Sequence, residues 1–87
     1  MRIIFSPLAE KQLKKLSKIA QIGVARKVRS FSEGNFSNTQ KLTGYKNLFR
    51  TRVGNYRIVF RQLSDSVYII ILGHRKEIYR LLERLLD

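Results

Sequence analysis

The sequence contains no cysteine, one proline and one histidine. The absence of cysteine excludes disulfides and thiolate metal ligands, and it is typical of proteins of a reducing compartment. We therefore expect a cytoplasmic protein. A single histidine, His74, excludes a metal centre built from several imidazoles, so neither a metal site nor a cofactor is predicted.

Long apolar runs are also missing. The apolar run at residues 3–5 ends at Ser6-Pro7, which is far too short for the hydrophobic region of a secretory signal. The longest apolar run, from Val67 to Leu72, is too short to cross a bilayer. A chain of 87 residues therefore predicts one soluble domain over residues 1–87, with no membrane partner.

Acidic residues are scarce compared with basic ones. Eighteen Lys and Arg face six Asp and Glu, which gives a net charge of +12. Such a field favours a polyanion such as RNA or DNA. A basic but merely solvated surface is the alternative, and on charge alone an acidic membrane or an acidic protein partner also remains open.

The hydrophobic pattern divides the chain into a helical half and a strand half. Ser6 and Pro7 are typical of a helix start, and a second helix is predicted over residues 19–32, where Gly34-Asn35 ends it. From residue 47 the period changes to two, with strands at 48–53, 56–63 and 67–72. With a first strand at 2–5 and a last helix at 76–86, the order is β-α-α-β-β-β-α. This order predicts an α+β fold in which the N-terminal strand joins a three-stranded antiparallel meander in one sheet.

The dipeptide Gly54-Asn55 predicts a two-residue type II′ hairpin turn. That turn sets Arg52 opposite Arg57 and Arg50 opposite Val59. Because side chains alternate between the faces of a strand, one face becomes apolar and the other basic. The predicted core face carries Phe49, Thr51, Val53, Tyr56, Ile58 and Phe60. The opposite face carries Arg50, Arg52, Arg57 and Arg61.

This arginine-rich face is difficult to explain by stability. Like charges directly opposite each other in a sheet cost a few tenths to about 1 kcal/mol, and no Asp or Glu occurs from residue 34 to residue 64. Arginine binds phosphate oxygens through its planar, permanently charged fork. We therefore predict a phosphate-binding surface on the side of the sheet facing solvent. The alternative is a solvated face on which the arginine stems lie over the sheet.

Residues near the C-terminus extend the predicted surface. If the next turn pairs Ser64 with Val67, then His74 lies opposite Arg57. Arg75 follows directly, and a helix that begins near Arg75 would set Tyr79 on the same helix face. The last helix should bury one stripe, either on its own sheet or against a partner. That stripe consists of Ile78, Leu82, Leu85 and Leu86.

Three segments together resemble the RelE/ParE toxins of toxin–antitoxin systems. They are Lys41-Leu42-Thr43-Gly44, the stretch from Phe49 to Phe60 with its Arg-Val-Gly-Asn-Tyr-Arg hairpin, and Gly73-His74-Arg75-Lys76-Glu77-Ile78-Tyr79. With the length and the element order, the resemblance covers nearly the whole chain. It implies a toxin that binds an acidic antitoxin in a hetero-oligomer. For RelE-type members it implies metal-independent, ribosome-dependent cleavage of mRNA, with contacts to 16S ribosomal RNA.

The resemblance also implies roles for individual residues. Basic residues on the second strand, an arginine on the third and an Arg/Tyr pair near the C-terminus carry out RelE-type cleavage. They correspond here to Arg50, Arg52, Arg57, Arg75 and Tyr79. His74 is a reserve candidate for proton transfer because its ordinary pKa lies near neutrality. Further RNA contacts are expected from Arg61, Lys41, Lys46 and Lys76.

The same resemblance leaves the biochemical target open. The best-known RelE-type members have lysines at the positions of Arg50 and Arg52, and an arginine is a poorer proton acceptor than a lysine. ParE-type members, which inhibit DNA gyrase, share the fold but usually lack the tyrosine at the position of Tyr79. The tyrosine favours the nuclease. A gyrase inhibitor and a non-enzymatic, basic nucleic-acid-binding module are the alternatives.

Overall fold

The computed structural model describes residues 1–86, which form one mixed sheet with helices on both faces. The elements are β1 (Arg2–Phe5), α1 (Pro7–Lys15), α2 (Lys18–Ser32), β2 (Thr39–Lys41), β3 (Leu48–Val53), β4 (Tyr56–Gln62), β5 (Ser66–His74) and α3 (Ile78–Leu86). The strand order is β1-β5-β4-β3-β2, with β1 parallel to β5 and all other pairs antiparallel. The predicted α+β fold is confirmed, including the N-terminal strand in the sheet. Among the described helices, none is long and apolar enough to span a membrane.

Strand β2 is an addition that the sequence pattern did not predict. Its residues, Thr39 to Lys41, pair with β3 and extend the antiparallel part of the sheet to four strands. The segment is short and polar throughout, so it carries no alternation of apolar and polar residues. Its pairing sets Gln40 directly opposite Arg50.

Serine caps determine where the two N-terminal helices begin. The Oγ atom of Ser6 accepts a hydrogen bond from the Ala9 N–H at 2.9 Å and donates one to the Ile70 carbonyl at 2.6 Å, which ties α1 to β5. Ser17 caps α2 in the same way through the Ala20 N–H. Helix α2 therefore begins one residue earlier than the predicted range, and its end is followed by Gly34 at φ +81°.

The helical hairpin packs on one face of the sheet around an aromatic cluster. Phe31 of α2 and Phe60 of β4 are fully buried, with ring centroids 4.6 Å apart. Phe36 stacks on Phe31 at 5.3 Å, and Phe49 stacks on Phe60 at 5.8 Å. Fully burying a side chain of this size stabilises the fold by roughly 1.5–3 kcal/mol, so this face holds most of the core.

Helix α3 covers part of the opposite face, so it packs on its own sheet. Ile78 and Leu82 are buried against Val59 and Ile71. The prediction that Leu85 belongs to the buried stripe is wrong, because this residue is 49% exposed. Leu81 is partly buried instead. The side chain of Leu86 lies outside the part that the structure describes.

The predicted start of this helix at Lys76 is also wrong. Residues 75–77 form a turn in which the Glu77 N–H donates to the His74 carbonyl at 3.0 Å. The helix begins only at Ile78, which is the first of its residues to be buried.

Candidate active site

The β3–β4 hairpin has the register predicted from its turn. Gly54 has φ +58°, as the first central position of a type II′ turn requires. Arg52 pairs with Arg57, and Arg50 pairs with Val59. The three arginines therefore share one face of neighbouring strands, and it is the face that α3 only partly covers.

These arginines line an open groove at the edge of the sheet. The groove has a volume of about 590 Å³. Its floor comes from β3 and β4, and its outer wall comes from the start of β2. The lining residues are Asn38, Thr39, Gln40, Arg50, Thr51, Arg52 and Arg57. A groove with these walls can admit an extended, negatively charged chain.

Arg57 is buried, which corrects the prediction that it lies on a surface facing solvent. Only 8% of the residue is exposed. Its Nη1 atom donates to the Tyr56 carbonyl at 3.1 Å and lies 3.5 Å from the Gly54 carbonyl. A buried charge is costly unless it is neutralised, and these partners are neutral. The side chain is therefore a fixed cation in the lining of the groove.

Arg50 is held by side chains from two other elements. Its Nη1 donates to the Tyr79 hydroxyl at 2.7 Å, and its Nη2 donates to the Gln40 Oε1 at 2.6 Å. The Arg50 Cζ also lies 5.8 Å from the centroid of the Tyr79 ring, within the range of a cation–π contact. Tyr79 is 36% exposed, so its ring remains accessible beside the groove.

Arg52 is the exposed member of the three groove arginines. It lies at the rim, opposite Arg57. The groove thus combines one buried cation, one half-buried cation with two partners and one exposed cation.

His74 lies on the other face of the sheet, so its predicted place opposite Arg57 is wrong. Arg57 pairs with Gly73, and His74 pairs with Tyr56. The ring centroids of Tyr56 and His74 are 6.1 Å apart in an edge-to-face arrangement. The β4–β5 turn lies one residue earlier than the one assumed, with Leu63 opposite Ser66, and a β-bulge at Val59/Phe60 moves the later residues of β5 by one position, which places His74 opposite Tyr56.

Neither Arg75 nor Arg61 is among the residues that line the groove. Arg75 is exposed in the turn before α3, and its backbone N–H donates to the Asn55 carbonyl at 3.0 Å. The expected helix face shared by Arg75 and Tyr79 is therefore absent from the described structure. Arg61 is half-buried and two positions beyond Val59, which α3 covers. The predicted continuous arginine face is divided at that point.

The three predicted RNA-binding lysines are all exposed. Lys41 and Lys46 line a second, shallower concavity in the loop before β3. Lys41 pairs with Phe49, so it projects from the face opposite the groove. Lys76 lies in the turn before α3.

Sequence reasoning missed the contribution of β2 and the residue before it, which together supply Asn38, Thr39 and Gln40 to the groove. The available signal was weak. Asn38 adopts φ +62°, and asparagine is one of the few residues that tolerate this backbone region. An asparagine before a polar edge segment could have indicated a turn into a short strand.

The chemistry that this arrangement supports is recognition of a phosphodiester. Guanidinium groups supply several N–H donors and a permanent positive charge, but they do not act as proton acceptors near neutral pH. Tyr79 adds a ring for stacking and a hydroxyl for hydrogen bonding. Among residues 1–86, no three His, Asp or Glu side chains converge as a metal site would require.

Comparisons with known proteins agree on the fold. The chain is 45% identical over 40 residues to Toxin RelE3 of Methanocaldococcus jannaschii, an alignment that covers 46% of this chain and 46% of that relative. It thus spans about half the length of this curated relative. The RelB–RelE antitoxin–toxin complex from Methanococcus jannaschii matches with a TM-score of 0.78 and 27% identity, covering 90% of this chain and 96% of that chain. The isolated Escherichia coli RelE toxin matches with a TM-score of 0.73 and 21% identity, covering 99% and 98%.

A family model covers most of the sequence. Residues 3–79 match the family described as "ParE toxin of type II toxin-antitoxin system, parDE". The match includes the hairpin, the arginine groove and Tyr79. The chain therefore belongs to the ParE toxin family of type II toxin–antitoxin systems, within the RelE/ParE toxin superfamily.

Proposed function

We propose that this toxin is a cytoplasmic, metal-independent endoribonuclease that cleaves mRNA on the ribosome and so inhibits translation. The observation that supports this proposal best is the groove in which Arg50, Arg52 and Arg57 lie beside Tyr79. Three cations along an open channel fit an RNA backbone, and an accessible tyrosine ring fits an unstacked base.

The reaction follows from the chemistry of RNA. The 2′-hydroxyl attacks the adjacent phosphorus, the 2′-oxygen–phosphorus bond forms and the bond to the 5′-oxygen breaks. The products are a 2′,3′-cyclic phosphate and a 5′-hydroxyl, after one proton leaves the 2′-oxygen and one joins the 5′-oxygen. Arg57 and Arg50 would stabilise the extra negative charge on the phosphorane.

The described groove offers few side chains that can transfer a proton, and this supports dependence on the ribosome. Arginines stay protonated, and His74 lies on the other face of the sheet. Among the described side chains in or beside the groove, Tyr79 is therefore the one best suited to exchange a proton with RNA. A weak acid–base set gives a low rate on naked RNA, so in-line positioning of the mRNA by the ribosome would supply the missing acceleration.

The test is a translation extract in which cleavage sites are mapped with intact ribosomes and after their removal. We expect cuts at codon-linked positions only when ribosomes are present. Equal cutting of naked RNA would contradict the proposal. As a control, Arg57→Met should lose cleavage in the same extract.

The family description favours one second candidate, inhibition of DNA gyrase, because the matching model is named for ParE toxins. A supercoiling assay with purified gyrase separates the two activities. Inhibition of supercoiling without any RNA cleavage would establish the second candidate and exclude the first.

We also propose an acidic antitoxin as the partner in a hetero-oligomer. The matching RelB–RelE structure is an antitoxin–toxin complex, and a net charge of +12 suits an acidic protein. Co-expression with the product of the adjacent gene should yield a complex that restores translation. Failure of that product to bind would remove it as the partner.

Contacts with 16S ribosomal RNA would use the exposed lysines of the N-terminal helical hairpin (α1 and α2) as well as Lys41, Lys46 and Lys76. In the hairpin these lysines are Lys11, Lys14, Lys15 and Lys18, all of them exposed. The logarithm of the binding constant for small ribosomal subunits should fall linearly with the logarithm of salt concentration, because each phosphate contact releases counterions. A salt-independent affinity would contradict this role.

A further inference from the structure

The guanidinium of Arg50 connects the edge strand β2 with the C-terminal helix. Gln40 accepts from its Nη2 at 2.6 Å, and Tyr79 accepts from its Nη1 at 2.7 Å. On the assumption that the proposed function holds, we infer that Gln40 is a positioning residue. It holds Arg50 against Tyr79 and so fixes the geometry of both groups toward the scissile phosphate.

Both acceptors of the Arg50 guanidinium are electrically neutral. An amide and a phenol fix the side chain without cancelling its charge, whereas a carboxylate would neutralise it and repel RNA. A guanidinium carries five N–H groups, and the two contacts leave others for phosphate oxygens. The arrangement therefore orients a cation and keeps it available for an anion.

A purely structural role for Gln40 is poorly supported by its surroundings. Gln40 is exposed, and both hydrogen bonds of the bridge lie at the surface. Water competes with such bonds, so their net contribution to folding is small. Ordering a long arginine side chain, by contrast, carries a substantial cost in conformational entropy. If the bridge orders Arg50 before RNA binds, this cost no longer opposes catalysis.

The bridge also determines what the Tyr79 hydroxyl can do. Because its oxygen accepts from Arg50, its own hydrogen is directed toward another acceptor. Loss of Gln40 would release one side of Arg50 and so disturb Tyr79 without touching it. The effect should therefore appear in the chemical step and leave RNA binding nearly intact.

The test compares Gln40→Met, which keeps the length but removes the acceptor, with Gln40→Glu, which keeps an acceptor. In single-turnover cleavage of ribosome-bound mRNA, we expect Gln40→Met to lower the maximal rate by about ten- to a hundredfold, as for one hydrogen bond to a charged group. The KM should change by no more than about threefold. Gln40→Glu should keep Arg50 ordered, but its carboxylate cancels positive charge, so it should both lower the maximal rate and raise KM. Gln62→Met, at the far end of β4, is the matched control and should resemble the wild type.

Two kinetic outcomes would overturn the inference. One is a wild-type maximal rate for Gln40→Met at unchanged cleavage sites. The other is an unchanged rate with a different choice of cleavage sites, which would make Gln40 a base-reading residue instead.

A measurement independent of activity separates this inference from the proposed function. The heteronuclear NOE of the Arg50 Nε–Hε group, assigned through its loss in Arg50→Lys, should fall in Gln40→Met and stay high in Gln62→Met. Equal NOE values in Gln40→Met and Gln62→Met would show that Gln40 does not order Arg50. If the wild type fails to cleave ribosome-bound mRNA, the proposed function fails, and this NOE comparison alone decides whether Gln40 orders Arg50.

Discussion

The two faces of the sheet differ in what they bury, and strand β4 contributes to both. On the hairpin face, Phe60 is fully buried in a cluster of aromatic rings. On the other face, three residues earlier, Arg57 is also buried, but as a charge with neutral carbonyl partners. The first arrangement stabilises the fold, and the second opposes it. Stability and the proposed activity are therefore assigned to opposite sides of one strand.

The largest effect is expected from Phe60→Ala. Truncating a buried phenylalanine leaves a cavity and lowers the free energy of unfolding by about 3–5 kcal/mol. For a domain of this size that is a large part of the total stability. Chemical denaturation monitored by circular dichroism measures the loss. A decrease below about 1 kcal/mol would mean that the aromatic cluster is not the main core.

Arg57→Met should have the opposite effect, because it should preserve the stability of the fold and reduce the cleavage activity. Replacing an unpaired buried charge with an apolar side chain of similar length removes a desolvation cost, so the melting temperature should stay equal or rise. Cleavage in the extract should fall by about 100- to 1000-fold, as when one positioned electrostatic contact is removed. A protein that melts at much lower temperature would show that Arg57 stabilises the fold, and the contrast between the faces would fail.

Tyr79→Phe tests the contribution of the Tyr79 hydroxyl, which lies beside the groove. The substitution keeps the ring for stacking but removes the hydroxyl that accepts from Arg50. We expect about a hundredfold loss of cleavage rate, as for a group that exchanges a proton in the reaction and the equivalent of about 2.7 kcal/mol, with unchanged thermal stability. Tyr68→Phe, on β5, is the matched control. A wild-type rate for Tyr79→Phe would restrict the role of Tyr79 to its ring.

The smallest effect is expected from His74→Gln. The imidazole lies beside Tyr56, on the face away from the groove, so cleavage should stay within about twofold of wild type, as for a substitution worth less than 0.5 kcal/mol. The same extract assay measures it. A loss of a hundredfold would return His74 to the catalytic set and require a different path to the RNA.

The register of the β3–β4 hairpin could be predicted from the sequence because its two-residue turn allows one pairing of the strands. Gly54 at positive φ before Asn55 selects a two-residue loop, and the pairing of Arg52 with Arg57 follows from it. The next turn has no glycine, and the bulge in β5 leaves no residue signature in the strand pattern. The position of His74 could therefore not be predicted from local rules.

The composition of the groove could be predicted only in part. Arg50, Arg52 and Arg57 follow from strand alternation, whereas Gln40 reaches the groove through the pairing of a short polar strand. The burial of Arg57 depends on tertiary packing, which local pattern does not encode. The role of each site residue remains a prediction for the experiments above.

The bulge in β5 has a consequence for how such a site can change. Phe60 pairs with Ile69 and Val59 pairs with Ile71, so Ile70, which lies between them, has no partner on β4. Every later residue of β5 thereby points to the face opposite to the one that an even ladder would give it. An even ladder of the same residues would instead place Leu72 opposite Arg57 and the imidazole of His74 on the side of the arginines. The extra residue at the bulge therefore decides which residue stands opposite the buried cation Arg57, and that residue is Gly73.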